Sequence, residues 1–216
     1  MLTTLVLSLV ALSSLALASP TPARGLANKY SSPPLFESLV NDTLAHNFTL
    51  SAVNKTQSND SDSDSDVGIP LVLGQAGAVP GASFHVTSTL ASYPYNDYPI
   101  LSLSSSSLRA YTKSGSWLTN ATSIPDFSSD APLRWLTTSR GSDAFGTNYT
   151  AILQAGIQYA RLAALGRADL WSLCPFGAES SRRQVNLVFN VTSGEEGSGE
   201  FVPEDCWDVD VRMVQV

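Results

Sequence analysis

Two carboxylates near the C-terminus, Asp208 and Asp210, have the spacing that acid–base chemistry would need. At i and i+2 of a strand they share one face about 7 Å apart, a separation that suits an inverting glycosidase. Such chemistry also requires one carboxyl held protonated by burial, whereas this face continues into Arg212 and has the pattern of a solvated strand surface. The two histidines, His46 and His85, are the only general bases available to a serine or cysteine hydrolase, and no Gly-x-Ser-x-Gly elbow accompanies them. His85 shares a strand face with Ser83 and Thr87, and a half-exposed strand histidine is the expected state. Two scattered histidines are too few for zinc, and no His-x-His or His-Glu-x-x-His occurs. Asp60, Asp62, Asp64 and Asp66 alternate as in a calcium loop, but Gly at position six and Glu at position twelve are replaced by Ser65 and Leu71, or by Val67 and Leu73. No metal, cofactor or catalytic residue is therefore expected. Gly74 to Gly81 matches neither phosphate-loop spacing and is expected to be a turn.

A binding site is the other chemical possibility. Tyr93, Tyr95 and Tyr98 stand in a loop stiffened by Pro94 and Pro99, with Asn96 and Asp97 between them. Sugar rings stack on phenol faces while the amide and carboxylate bond hydroxyls, so this loop is a candidate carbohydrate site; the competing reading is that its rings pack against a strand end, and packing is expected. Trp117, Trp135, Trp171 and Trp207 fall in strand-like segments and are expected in the core.

The elements that must position these residues alternate with period two. Phe48 to Ala52, Phe84 to Thr87 and Ile100 to Ser104 have the rhythm of short half-buried strands. Val185, Leu187, Phe189 and Val191 alternate with mostly polar neighbours, as do Trp207, Val209, Val211 and Met213. Leu108 to Thr112 and Trp117 to Asn120 flank a hairpin turn, and Leu133 to Thr138 and Ala168 to Cys174 add further strands. Residues 151–165 carry apolar side chains at helical spacing and Gly166 at the stop position, so one short helix or two strands fit there. About nine short strands without a βαβ rhythm predict a mostly β fold, an antiparallel β-sandwich or small barrel-like sheet with Greek-key-type connections.

Compartment follows from the ends and the composition. Residues 2–18 are uncharged and apolar and close on Ala16-Leu17-Ala18, which predicts a cleaved signal peptide at 1–18 and no membrane anchor in the mature chain. Residues 19–46 are expected to be a linker or pro-segment, and 47–216 a single β domain carrying a disordered Asn/Ser/Asp loop at 54–66. Seven of the ten asparagines, Asn41, Asn47, Asn54, Asn59, Asn120, Asn148 and Asn190, stand in Asn-x-Ser/Thr, an excess that predicts a glycosylated exterior. Cys174 and Cys206 then travel an oxidising route, and two cysteines allow a single intramolecular bridge. A net charge of −7 over 216 residues lacks the basic footprint of a nucleic-acid binder.

The end of the chain adds a resemblance. Leu170-Trp171-Ser172-Leu173-Cys174-Pro175, then Val185 to Val191, then Cys206-Trp207-Asp208-Val209 resembles the close of small secreted fungal cell-wall proteins of the phialide-associated family, and Pro99 to Leu103 and Leu108 to Gly115 are similar to its middle strands. The resemblance covers Asn47 to Val216. It implies a β-sandwich wall or surface protein, with wall polysaccharide or other wall proteins as partners and no catalytic residues to carry over. The Asp/Ser run and residues 151–165 depart from that pattern.

Overall fold

The computed structural model describes residues 44–56, 67–122, 124–125, 130–138, 146–153, 158–177, 183–192 and 201–216. The expected signal segment, most of the linker, the Asp/Ser run and the sequons at Asn41 and Asn59 lie outside them. The described residues form thirteen strands and one 3-10 turn, Pro203–Asp205. In chain order the strands are β1 (Leu44–Asn54), β2 (Ile69–Val79), β3 (Ala82–Thr89), β4 (Ile100–Ser104), β5 (Ser107–Tyr111), β6 (Trp117–Ala121) and β7 (Ala131–Pro132). They continue as β8 (Arg134–Thr138), β9 (Tyr149–Ile152), β10 (Ala160–Ala164), β11 (Trp171–Phe176), β12 (Gln184–Phe189) and β13 (Trp207–Gln215).

Pairing closes the sheet into an antiparallel barrel through β1, β2, β3, β12, β11 and β13 back to β1. Each antiparallel step reverses direction, so such a ring closes only with an even number of strands. Of the two architectures the sequence allows, the barrel forms. A ribbon β4–β5–β6–β8 runs outside this ring from β1 to β3, while β9 and β10 extend from β13, and β7 adds to β12.

One strand can serve both ring and ribbon because β1 bends. Its register shifts between Ala45 and Phe48, where Asn47 adopts φ 53°. β4 pairs with Leu44 and Ala45 before the bulge and with Phe48 after it, β13 joins from Phe48 onward, and β2 takes over from β4 at Leu50. The bulge also hides the start of the domain from sequence periodicity. The domain starts earlier than the sequence suggests, since β1 begins at Leu44, inside the stretch expected to be linker.

Alternation decides which side chains enter the core. Leu50 faces Met213 and Ala52 faces Val211 across β1 and β13, while Leu173 faces Leu187 across β11 and β12. All six are buried in one cluster with Leu101, Leu103, Leu108 and Trp135 of the ribbon. The alternate residues Asp208, Asp210 and Arg212 point outward, as their period predicts.

One open alternative is resolved and one expectation is corrected. The helix considered for 151–165 does not form in the described residues: β9 and β10 pair from Arg161↔Ile152 to Ala164↔Tyr149, and β10 also joins the edge of β13 through Ala160↔Met213. Tertiary pairing outweighs helical spacing there, because a strand buries Ala160, Leu162 and Ala164 against the core while Arg161 reaches outward. Similarly, Gly74 to Gly81 is strand as far as Val79, paired with β3 across a bulge between Gln75 and Gly77, and only Pro80 and Gly81 turn. A Cβ at position 74 would collide with Gln184 Nε2 and Ser88 Oγ, so that glycine serves close packing rather than a turn.

Candidate functional site

The tyrosine loop leaves β3 through a tight turn in which the Ser92 and Tyr93 amides donate to the Thr89 carbonyl, at 3.1 and 3.0 Å. Ser92 Oγ then accepts from the Val185 amide at 3.0 Å, tying the loop to β12. Its three rings have different fates. Tyr98 is half-buried against the core and meets His85 edge-on, with centroids 5.3 Å apart. Tyr95 is 62% exposed and packs edge-on against Tyr93 at 5.3 Å. Asp97 is exposed and Asn96 half-buried beside them. Tyr95 thus presents a ring to solvent on a backbone fixed at both ends.

A direct comparison separates the two roles. Tyr98→Ala should cost about 2 to 3 kcal/mol of stability by removing a ring packed on the core, whereas Tyr95→Ala should change stability by less than about 0.5 kcal/mol. Urea unfolding of the two variants checks this, and equal losses would contradict the assignment.

His85 sits on β3 between Gln75 and Trp135, and its Nε2 is buried with no hydrogen-bond partner. Burial holds the imidazole below the ordinary histidine value, partly opposed by the charge of Asp97. Because the unfolded chain binds this proton more readily, the stability His85 contributes is complete above about pH 6.5 and is lost as acidification passes through the lower folded value. Melting temperature should therefore fall between about pH 7 and pH 5, and His85→Gln should flatten that part of the profile. Burial also raises the Tyr98 phenol, reinforced by Asp97 and Tyr93, so this tyrosine stays neutral at alkaline pH where an exposed one ionises.

The acid pair does not converge on a common reacting position. Asp208 accepts from Ser172 Oγ at 2.8 Å, while Asp210 forms an ion pair with Arg161 at 3.3 Å. Arg212, on the same face, lies over the Tyr159 ring, 5.9 Å from its centroid. Each carboxylate is thus committed to its own partner. Asp208 borders a shallow pocket of about 270 Å3 with Glu204 and Ser172, and Asp210 is not part of it. Among the described residues no three His, Cys, Asp or Glu side chains gather as a metal site requires.

Cys174 and Cys206 form the disulfide, with Cα atoms 4.3 Å apart. Cys174 is buried on the face of β11 opposite the main core, where Val188 and Phe201 cover it. The bridge fastens β11 to the residue just before β13, beside the pairs Ser172↔Asp208 and Leu173↔Trp207. The remaining sequons differ in access: Asn47 is exposed, Asn54 and Asn190 half-buried, and Asn120 only 4% exposed. Asn148 Nδ2 donates to the Ile124 carbonyl at 2.6 Å.

A further concavity has little signature in the sequence. A groove of about 700 Å3 opens on the outer face of the barrel, lined by Phe84, Arg134, Leu136, Phe176, Gln184 and Asn186 among others. It exists because β8 and β12 pair with the same edge of β3, β8 along Ala82–Val86 and β12 at Ser88, so the two strands part around it. The one sequence signal was Phe84 and Val86, apolar on a strand face opposite His85 and Thr87.

No protein-family model, curated protein or solved structure matches this chain.

Proposed function

We propose that this chain is a secreted, N-glycosylated structural or surface protein of the extracellular matrix, a fungal cell-wall component that performs no catalysis. The observation that carries the reading is the Cys174–Cys206 bridge, which leaves no free cysteine among the described residues and belongs to an oxidising compartment. No helix of the described residues is long and apolar enough to cross a membrane, which is compatible with secretion. Sequon density supports the same compartment, and the fungal wall assignment rests on the family resemblance of the Cys-Pro and final Cys segments. Its partners would be wall polysaccharide or other wall proteins. Glycans are expected at Asn47, Asn54 and Asn190, whose side chains reach solvent, and not at Asn120.

A second reading, a carbohydrate-binding module, is favoured by the exposure of Tyr95 on its anchored loop. A glycosidase using Asp208 and Asp210 gains no support, because the two carboxylates are engaged separately. Expression of the full chain in a filamentous fungus, followed by separation of medium, detergent-extractable wall and residual wall, tests the leading reading. The protein should appear in medium and wall, with an apparent mass that drops by several chains on enzymatic deglycosylation. Retention inside the cell with unchanged mass would refute it.

A further inference from the structure

The groove between β8 and β12 has the build of a ligand site, and we propose that it binds a neutral saccharide. Its volume falls in the range of small-molecule clefts, and it lies where two strands leave a shared edge, a point at which side chains of several strands converge.

The floor is preorganised. Gln184 Nε2 donates to Ser88 Oγ at 2.7 Å, and Ser88 Oγ donates to Asn186 Oδ1 at 2.7 Å. This chain holds both carboxamides in one orientation. It uses only one polar atom of each, so the Gln184 Oε1 acceptor and the Asn186 Nδ2 donors remain for a ligand. Gly74 lies directly beneath, and its missing Cβ is what lets Gln184 and Ser88 approach. Paired donor and acceptor groups of this kind match the vicinal hydroxyls of a sugar ring.

The walls supply the apolar part. Phe84 is 41% exposed although it is a large apolar residue in a paired strand. Its cross-strand neighbours are Leu136 on one side and Gly77 on the other, and the glycine leaves one flank of the ring uncovered. Phe176 stands on the opposite wall and is itself fixed by the Phe201 ring, 5.0 Å away. Two aromatic rings beside carboxamides suit the C–H face of a pyranose. Among the described lining residues there is one guanidinium, Arg134, and the other polar groups are neutral. The net charge of −7 disfavours a polyanion. Neutral carboxamides beside aromatic rings are the lining that a neutral saccharide needs.

This inference does not depend on secretion and uses none of the tyrosine-loop residues. Purified full-length protein would be titrated with neutral gluco- and chito-hexasaccharides, with heat of binding as the readout. Saturable binding of at least one of them is expected. Phe84→Ala should then weaken it about tenfold or more, and Arg134→Ala by a smaller factor, with melting temperatures near that of the parent because both side chains are exposed. Tyr95→Ala should leave the affinity unchanged. Absence of binding to every hexasaccharide at millimolar concentration would overturn the proposal. So would binding that survives Phe84→Ala and Arg134→Ala, and loss through Tyr95→Ala alone would move the site to the tyrosine loop.

Discussion

Replacing both Cys174 and Cys206 by serine should lower the unfolding free energy by about 3 to 4 kcal/mol. The bridge spans a sequence separation of 32, and cutting it returns that much loop-closure entropy to the unfolded chain. For a chain of this size the change corresponds to a fall of roughly 10 °C in melting temperature. The effect is concentrated where the barrel ring is completed, because β11 and β13 share only the register pairs at Ser172 and Leu173. Phe201, which packs over Cys174, precedes the 3-10 turn leading to Cys206, so this cover should loosen first when the bridge is absent. Thermal unfolding with and without reductant, alongside the double serine variant, measures the effect. A melting temperature indifferent to both would show that the bridge contributes nothing to the native state.

Trp171→Ala should cost about 3 to 5 kcal/mol, the range for truncating a fully buried large aromatic side chain. The indole is completely buried, meets Phe189 edge-on at 5.0 Å and donates from Nε1 to the Leu162 carbonyl at 2.9 Å. It therefore connects the ring strand β11 to β10 outside the ring. Alanine would leave both a cavity and an unpaired buried carbonyl. Trp171→Phe keeps most of the volume and should recover more than half of the loss, which separates packing from hydrogen bonding. Denaturant titration of both variants decides the matter, and a loss below about 1 kcal/mol for the alanine variant would place the indole outside the core.

Local pattern carried most of the strand assignments. In β13 every second residue is apolar, and Val209, Val211 and Met213 are buried while Asp208, Asp210 and Arg212 point outward. The period of a strand depends only on the pleat, so neighbours need not be known to read it. The same reasoning missed the start of β1, where the bulge at His46 and Asn47 breaks the alternation, and left β10 open, because alanines at helical spacing are equally compatible with a strand. It also failed at Gly74 to Gly81, since glycines that serve close packing look the same in sequence as glycines that turn the chain.

For this protein, composition and period by themselves determined an antiparallel β domain, its outward acidic face and the pairing available to its two cysteines. These properties are local or combinatorial, and they need no knowledge of which strands meet. Tertiary structure alone decided that the sheet closes into a barrel, that Tyr98 packs while Tyr95 stands free, and that Phe84, Phe176, Gln184 and Asn186 surround one groove. Those outcomes depend on which edges pair across the chain, between residues as far apart as Phe48 and Gln215. No window of sequence contains that information, because β8 and β12, which share one edge of β3, come from distant parts of the chain.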